Sequence, residues 1–243
     1  PAIALAGPDG AKALLVLSAV QAKQGELDAA LATVAKANAL LGPDLTANPD
    51  IRAQAELTRV RIYTSTTNVK AATAAFDRAL AYYRMNPKTT PREMALALGN
   101  RGLLLSDDGQ FDEAEASLTE ALQLNRKSVG DNHLSTGKTW YALAQNSYNA
   151  GRLQVARKQI AEALRIQRGV LDPDNAILGD TLSMQGQIME GLKLLPQAES
   201  SLREAVAIYR EAYGGPHYMI GIAGVYLALI ESDRGNTEAA LET

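Results

Sequence analysis

The sequence has no cysteine, one tryptophan and two phenylalanines among its 243 residues. The missing thiol removes disulfides, thiol catalysis and zinc–cysteine sites. Charge of one sign is never concentrated, since 24 Lys and Arg stand against 27 Asp and Glu with no run of five like charges. With a pI near 5.5, the chain lacks the clustered basic residues that a nucleic-acid footprint requires. Long apolar runs are missing too. The longest, Ala13 to Val20, is broken by Ser18 and falls far short of the roughly 20 residues that span a bilayer. No Gly-rich phosphate loop, GxSxG elbow or HExxH helix occurs, so the sequence points to no catalytic residue, cofactor or metal.

What is present is a repeat. The stretch Gly109 to Ala121 reads GQFDEAEASLTEA, and its skeleton returns every 42 residues. Gly151, Leu153, Ala156 and Ala163 follow it, then Lys193, Leu195, Ala198 and Ala205, then Gly235, Thr237 and Ala240. Before it stand Thr67, Val69, Ala72 and Ala79, and earlier Gly25, Leu27, Ala30 and Ala37. A fixed period of this length marks a helical array. The repeats are expected at about 11–42, 51–86, 91–130, 135–172, 175–214 and 217–243, forming one elongated domain over 1–243. The chain opens on Pro1 without a signal-peptide pattern, and its sixth repeat stops at Thr243. It is therefore expected to be a segment of a longer protein, with that repeat truncated and the faces of Leu227 and Ile230 incompletely covered.

Each repeat reads as two helices joined by a tight turn. Leu14, Leu17 and Val20 recur at helical spacing after Gly7-Pro8-Asp9-Gly10, which reads as a turn. Gly25 suits a left-handed helix cap, and Thr67-Asn68 replaces it in the second repeat. Thr90-Pro91-Arg92-Glu93 carries the N-cap, first-turn proline and reciprocal Glu of a capping box. The two alanines lie on one face of each second helix, where methyl groups let helix axes approach closely.

At these residues the chain resembles the tetratricopeptide repeat family. With the first alanine of each repeat at position 20, Trp140 falls on position 4 beside Leu14, Leu98 and Leu182, and so reads as core. Gly102, Gly186, Ala144 and Ala228 fall on the small position 8. The 42-residue period and the linkers Val129–His133 and Tyr213–His217 look like kinesin-light-chain-type repeats, as does Asn100 on its helix. The resemblance implies an all-α, right-handed superhelical solenoid of about six helix-turn-helix units. It also implies a concave groove lined by the first helices, and a parent such as a bacterial multidomain signalling protein. The Lys and Asn pattern of chaperone-tail clamps is not reproduced.

Positions 2, 5, 9 and 12 of the first helices share a face, which the family's fold turns into the groove wall. They include Gln54, Leu57, Arg61 and Thr64, then Leu96, Gly99, Leu103 and Ser106 beside Asn100. Lys138, Tyr141, Gln145 and Tyr148 follow, then Asp180, Ser183, Gln187 and Glu190. The candidate binding residues are Arg61, Asn100, Leu103, Tyr141, Gln145, Tyr148 and Gln187, the two tyrosines being expected to stand clear of the core. Tyr and Gln offer rigid amphipathic area and paired amide groups to a ligand.

His133 and His217, the only histidines, occupy equivalent linker positions too far apart to share a metal. Asp107, Asp108, Glu113 and Glu115 read as solvated groups at a turn and a helix start. The expected function is non-enzymatic binding of a protein or peptide, with no nucleic acid and no membrane insertion. A regulatory or oligomerising module is the rival, because Ile222, Val225 and Leu229 make an apolar stripe; a peptide or small-molecule sensor is the other. The compartment is expected to be the cytoplasm, or the periplasm if the parent carries an upstream membrane span.

Overall fold

The structure, a computed structural model, describes residues 6–235, so Ala240 and the start of the last expected second helix lie outside the described residues. Eleven helices and no strand occur among the described residues. The chain divides into two compact bodies, Pro1–Asp108 and Gly109–Thr243. The first holds α1 (Gly7–Lys23), α2 (Leu27–Leu40), α3 (Pro49–Ser65), α4 (Val69–Met85) and α5 (Pro91–Asp107). The second holds α6 (Phe111–Val129), α7 (Leu134–Asn149), α8 (Leu153–Arg168), α9 (Ala176–Gly191), α10 (Leu195–Tyr213) and α11 (Tyr218–Asp233).

The period is written into the backbone. Gly25, Thr67, Gly109, Gly151, Lys193 and Gly235 all have φ between 53° and 82°. A residue in this left-handed region reverses the chain between paired helices. The N–H that follows reaches back to close the turn: Glu26 to Gln21 at 2.9 Å, Asn68 to Tyr63 at 2.9 Å, Arg152 to Ser147 at 2.7 Å and Leu194 to Met189 at 2.8 Å. The expectation for Gly25 holds. In the second repeat it is Thr67, and not Asn68, that takes the left-handed conformation. Asn68 instead caps α4, its side chain accepting from the Ala71 N–H at 3.1 Å.

Helix starts follow local chemistry. Thr90 and Glu93 form the capping box reciprocally. His133, Asn175 and His217, each 42 residues on, cap α7, α9 and α11 by accepting from the N–H two residues ahead. An imidazole can do this through Nδ1 when its proton sits on Nε2. The Gly7–Gly10 turn does not end before α1 but forms its first turn, because Pro8 lacks only an N–H that a helix start leaves unbonded anyway.

Packing explains the alanines. Ala30, Ala72, Ala114, Ala156 and Ala198 are fully buried, and their partners seven residues on are equally enclosed. At position 8 the approach is closer still. Ser18 Oγ donates to the Ala30 carbonyl at 2.9 Å, and a Cβ on Gly186 would lie 2.5 Å from Leu202 Cγ. Within each body, consecutive helices pack in pairs, and α1 touches α3 as α7 touches α9. Leu98 and Leu182 are buried at position 4, while Trp140 is half-buried.

Two expectations are corrected here. Leu227 and Ile230 are buried, because α11 packs them onto Leu202, Val206 and Tyr209 of α10. Glu115 is not a solvated group: with Asp112 it binds the Arg152 guanidinium and ties α6 to the start of α8.

A β-branched or long side chain at positive φ carries a backbone strain that glycine lacks. Thr67→Gly and Lys193→Gly should therefore each stabilise the chain by about 1 kcal/mol. Chemical denaturation should show raised midpoints for both; lowered midpoints would mean that the side chains contribute more than the strain takes away.

Candidate binding surfaces

In the first body, the first helices leave a groove of about 710 Å³ between α1, α3 and α5. Arg61 and Asn100, two of the residues singled out from sequence, both line it. Its floor is apolar, with Leu15, Val60 and Phe76 buried and Leu57 half-buried. Lys12 and Gln54 stand at its rim, both exposed. Arg61 donates to Thr58 Oγ1 at 3.3 Å and meets no carboxylate among the described residues. Leu103 is half-buried on α5 and does not line the groove.

In the second body, Tyr141, Gln145 and Tyr148 lie on α7 and Gln187 on α9, all half-buried. The tyrosines do not stand clear of the core. Both rings pack against the cluster of Ala144, Ala156, Ile160 and Ile188. The small Ala144 leaves space that flanking rings fill, so these side chains serve packing as well as surface.

Two other residues of that stripe are committed inward. Asp180 accepts the hydroxyl of the fully buried Tyr209 at 2.7 Å, and Ser183 is buried. Burial pushes the Tyr209 phenol far above its usual range, and the hydrogen bond to Asp180 adds to this. Burial also raises Tyr141, with Asp180 beside it, and Tyr148, with Tyr226 and Glu190 beside it.

Charges buried in the packing escaped the sequence reading. Glu56, at the position 4 that Leu98 and Leu182 fill elsewhere, is 3% exposed and is held by Arg59 and by Arg78, the latter at 2.8 Å. In α10 and α11, Arg203 bridges Glu199 and Glu231, both at 2.7 Å, and Arg234 also binds Glu199. Removing one member would strand a buried charge, which is more damaging than replacing the whole group. No cluster of three metal-ligating side chains occurs among the described residues, and no described helix is long and apolar enough to cross a membrane.

Residues 93–169 and 139–211 match the tetratricopeptide repeat family, and the alanine skeleton extends the same register across the described helices. The chain is a tetratricopeptide-repeat protein. Its repeats are of the 42-residue, kinesin-light-chain-like kind, a family that commonly serves as a protein–protein interaction scaffold.

Solved structures share the fold at low identity. BtubC (BKLC) from P. vanneervenii is 19% identical with a TM-score of 0.74, the match covering 86% of this chain and 83% of that one. A putative kinesin light chain from Podosopora anserina is 15% identical with a TM-score of 0.72, covering 87% of this chain and 100% of that one. A Signal Transduction ATPase with Numerous Domains from Pyrococcus horikoshii, which has a tetratricopeptide repeat sensor, is 14% identical with a TM-score of 0.80. That match covers 96% of this chain and 35% of that one. Among curated proteins, none matches the chain in sequence.

The raised phenols set a pH dependence. Where the folded pKa exceeds the unfolded value near 10, the unfolded chain releases its proton first. Stability is therefore complete below pH 10 and is lost as pH rises beyond it. The melting temperature should fall above pH 10, and Tyr209→Phe should flatten that fall while lowering stability at neutral pH by about 1 kcal/mol. An equal alkaline fall in the variant would remove Tyr209 as its source.

Proposed function

We propose that the chain is a non-catalytic scaffold that holds a protein or peptide segment against the exposed stripes of its first helices. The observation that supports this most directly is the groove of the first body, where an apolar floor lies beneath Arg61, Gln54 and Asn100. Gln54 and Asn100 have no side-chain hydrogen-bond partner among the described residues, so their donors and acceptors are available to a ligand backbone. Rigid packed helices place the ordering loss mainly on the partner. In the second body, Gln145, Gln187 and the outer edges of Tyr141 and Tyr148 offer a similar mixture of amide and aromatic groups.

A second reading has its own support. Along α11, Tyr218, Ile222, Val225 and Leu229 are 46% to 69% exposed on one stripe while the opposite face is buried. An apolar stripe of this kind fits a regulatory or self-associating surface. The sensor role printed for the tetratricopeptide repeats of the Pyrococcus horikoshii protein is compatible with regulation inside a larger signalling protein. If this reading holds, Val225→Asp with Leu229→Asp should abolish self-association in sedimentation velocity; an unsubstituted chain that stays monomeric at high concentration sinks the self-associating form.

The scaffold reading needs variants that spare packing. Alanine at Tyr141 and Tyr148 would leave a cavity beside Ile160 and Ile188, with a loss of roughly 3 kcal/mol or more. The combination Arg61→Ala, Asn100→Ala, Gln145→Ala and Gln187→Ala removes only surface groups. For a partner bound on these stripes, its affinity should fall at least about tenfold with the melting curve preserved. Unchanged affinity would move the contact off the first-helix stripes.

A further inference from the structure

We infer that the groove of the first body selects an extended peptide bearing two carboxylates four residues apart, with an apolar side chain midway between them. The inference rests on the scaffold reading and adds what the ligand must look like.

Two parallel stripes border the groove. Lys12, Leu15 and Ala19 on α1 are matched, 42 residues on, by Gln54, Leu57 and Arg61 on α3. The cations thus stand at diagonal corners: Lys12 at the early end of one stripe and Arg61 at the late end of the other. Seven residues of helix separate the ends by about 10 Å, and adjacent packed helices lie roughly 8–10 Å apart. The diagonal is therefore about 14 Å. An extended chain advances about 3.3 Å per residue and turns every second side chain the same way. Residues i, i+2 and i+4 of a ligand would then face the groove together and span about 13 Å. The outer two meet the cations, and the middle one meets Leu57, Val60 and Phe76.

The charge is not already neutralised. No Asp or Glu lines the groove among the described residues. Both oxygens of nearby Glu56 are held by Arg59 and Arg78. Lys12 Nζ lies 3.9 Å from Asp9, but these side chains are 55% and 84% exposed, and such a pair contributes little. Gln54 and Asn100 complete the site by bonding the ligand's peptide groups.

The test uses the full chain and nuclear magnetic resonance titration, following the side-chain amide signals of Gln54 and Asn100. The probe is a capped heptapeptide, Gly-Asp-Ser-Leu-Ser-Asp-Gly. Its controls are the Asn isostere, a version with the two Asp residues three apart, and a random heptapeptide pool. The acidic probe should bind about tenfold more tightly than the isostere, and its advantage should shrink at high salt. Arg61→Gln and Lys12→Gln should each remove part of it without moving the melting temperature. Equal binding of the isostere overturns the charge selection, and equal binding of the three-apart probe overturns the diagonal spacing; both leave the scaffold reading standing. If no probe and no member of the pool perturbs these amides at millimolar concentration, groove binding in the first body falls as well.

Discussion

The distance at which a first helix can lie against a second helix governs everything else in this chain. Two methyl groups per repeat set that distance. Ala30, Ala72, Ala114, Ala156 and Ala198 expose no surface, and neither do most of their partners one heptad later. A larger side chain at either place would push the axes apart and spoil the register of every neighbour. Position 8 tightens the same contact: Gly186 admits Leu202 where a methyl would collide with it. The turn residue at positive φ and the caps at Thr90, His133, Asn175 and His217 then serve to hold each helix at that spacing.

This explains which parts could be read from sequence. Steric demands repeat with the structure, so they leave a periodic mark: small residues at fixed intervals, and a turn residue every 42 positions. The alanine skeleton, the Gly25 cap and the Thr90 box all follow from contacts within a few residues. The features that escaped depend on partners remote in sequence. Glu56 looks like a surface residue until Arg78, 22 residues later, closes over it. Arg203 meets Glu231 across 28 residues. Tyr141 and Tyr148 share a face seven residues apart, yet helical spacing does not reveal that Ile188 of α9 packs beneath them. Thr67 took the left-handed turn because its place in the repeat requires it, overriding the preference of its own side chain.

The two bodies differ in how their first-helix stripes are used. In the first, Lys12 and Arg61 remain at the surface over an apolar floor. In the second, Asp180 is spent on Tyr209, and the tyrosines are partly spent on the core. A common backbone thus carries surfaces of different chemistry. Recognition is then decided by residues that packing does not recruit.

Arg52 has a consequence for how the array comes apart. It is buried at the start of α3, and its guanidinium donates to the carbonyls of Leu41, Gly42, Asp44 and Ala47, all within 3.1 Å. The connector between the first two repeats is therefore fastened to the second repeat from inside. Terminal repeats of such arrays ordinarily fray first, because each contacts only one neighbour. Here fraying must release four carbonyls and a buried cation together, so α1 and α2 exchange their amide protons through the same opening event as α3. The first two repeats are in this sense one kinetic unit, locked by a single side chain.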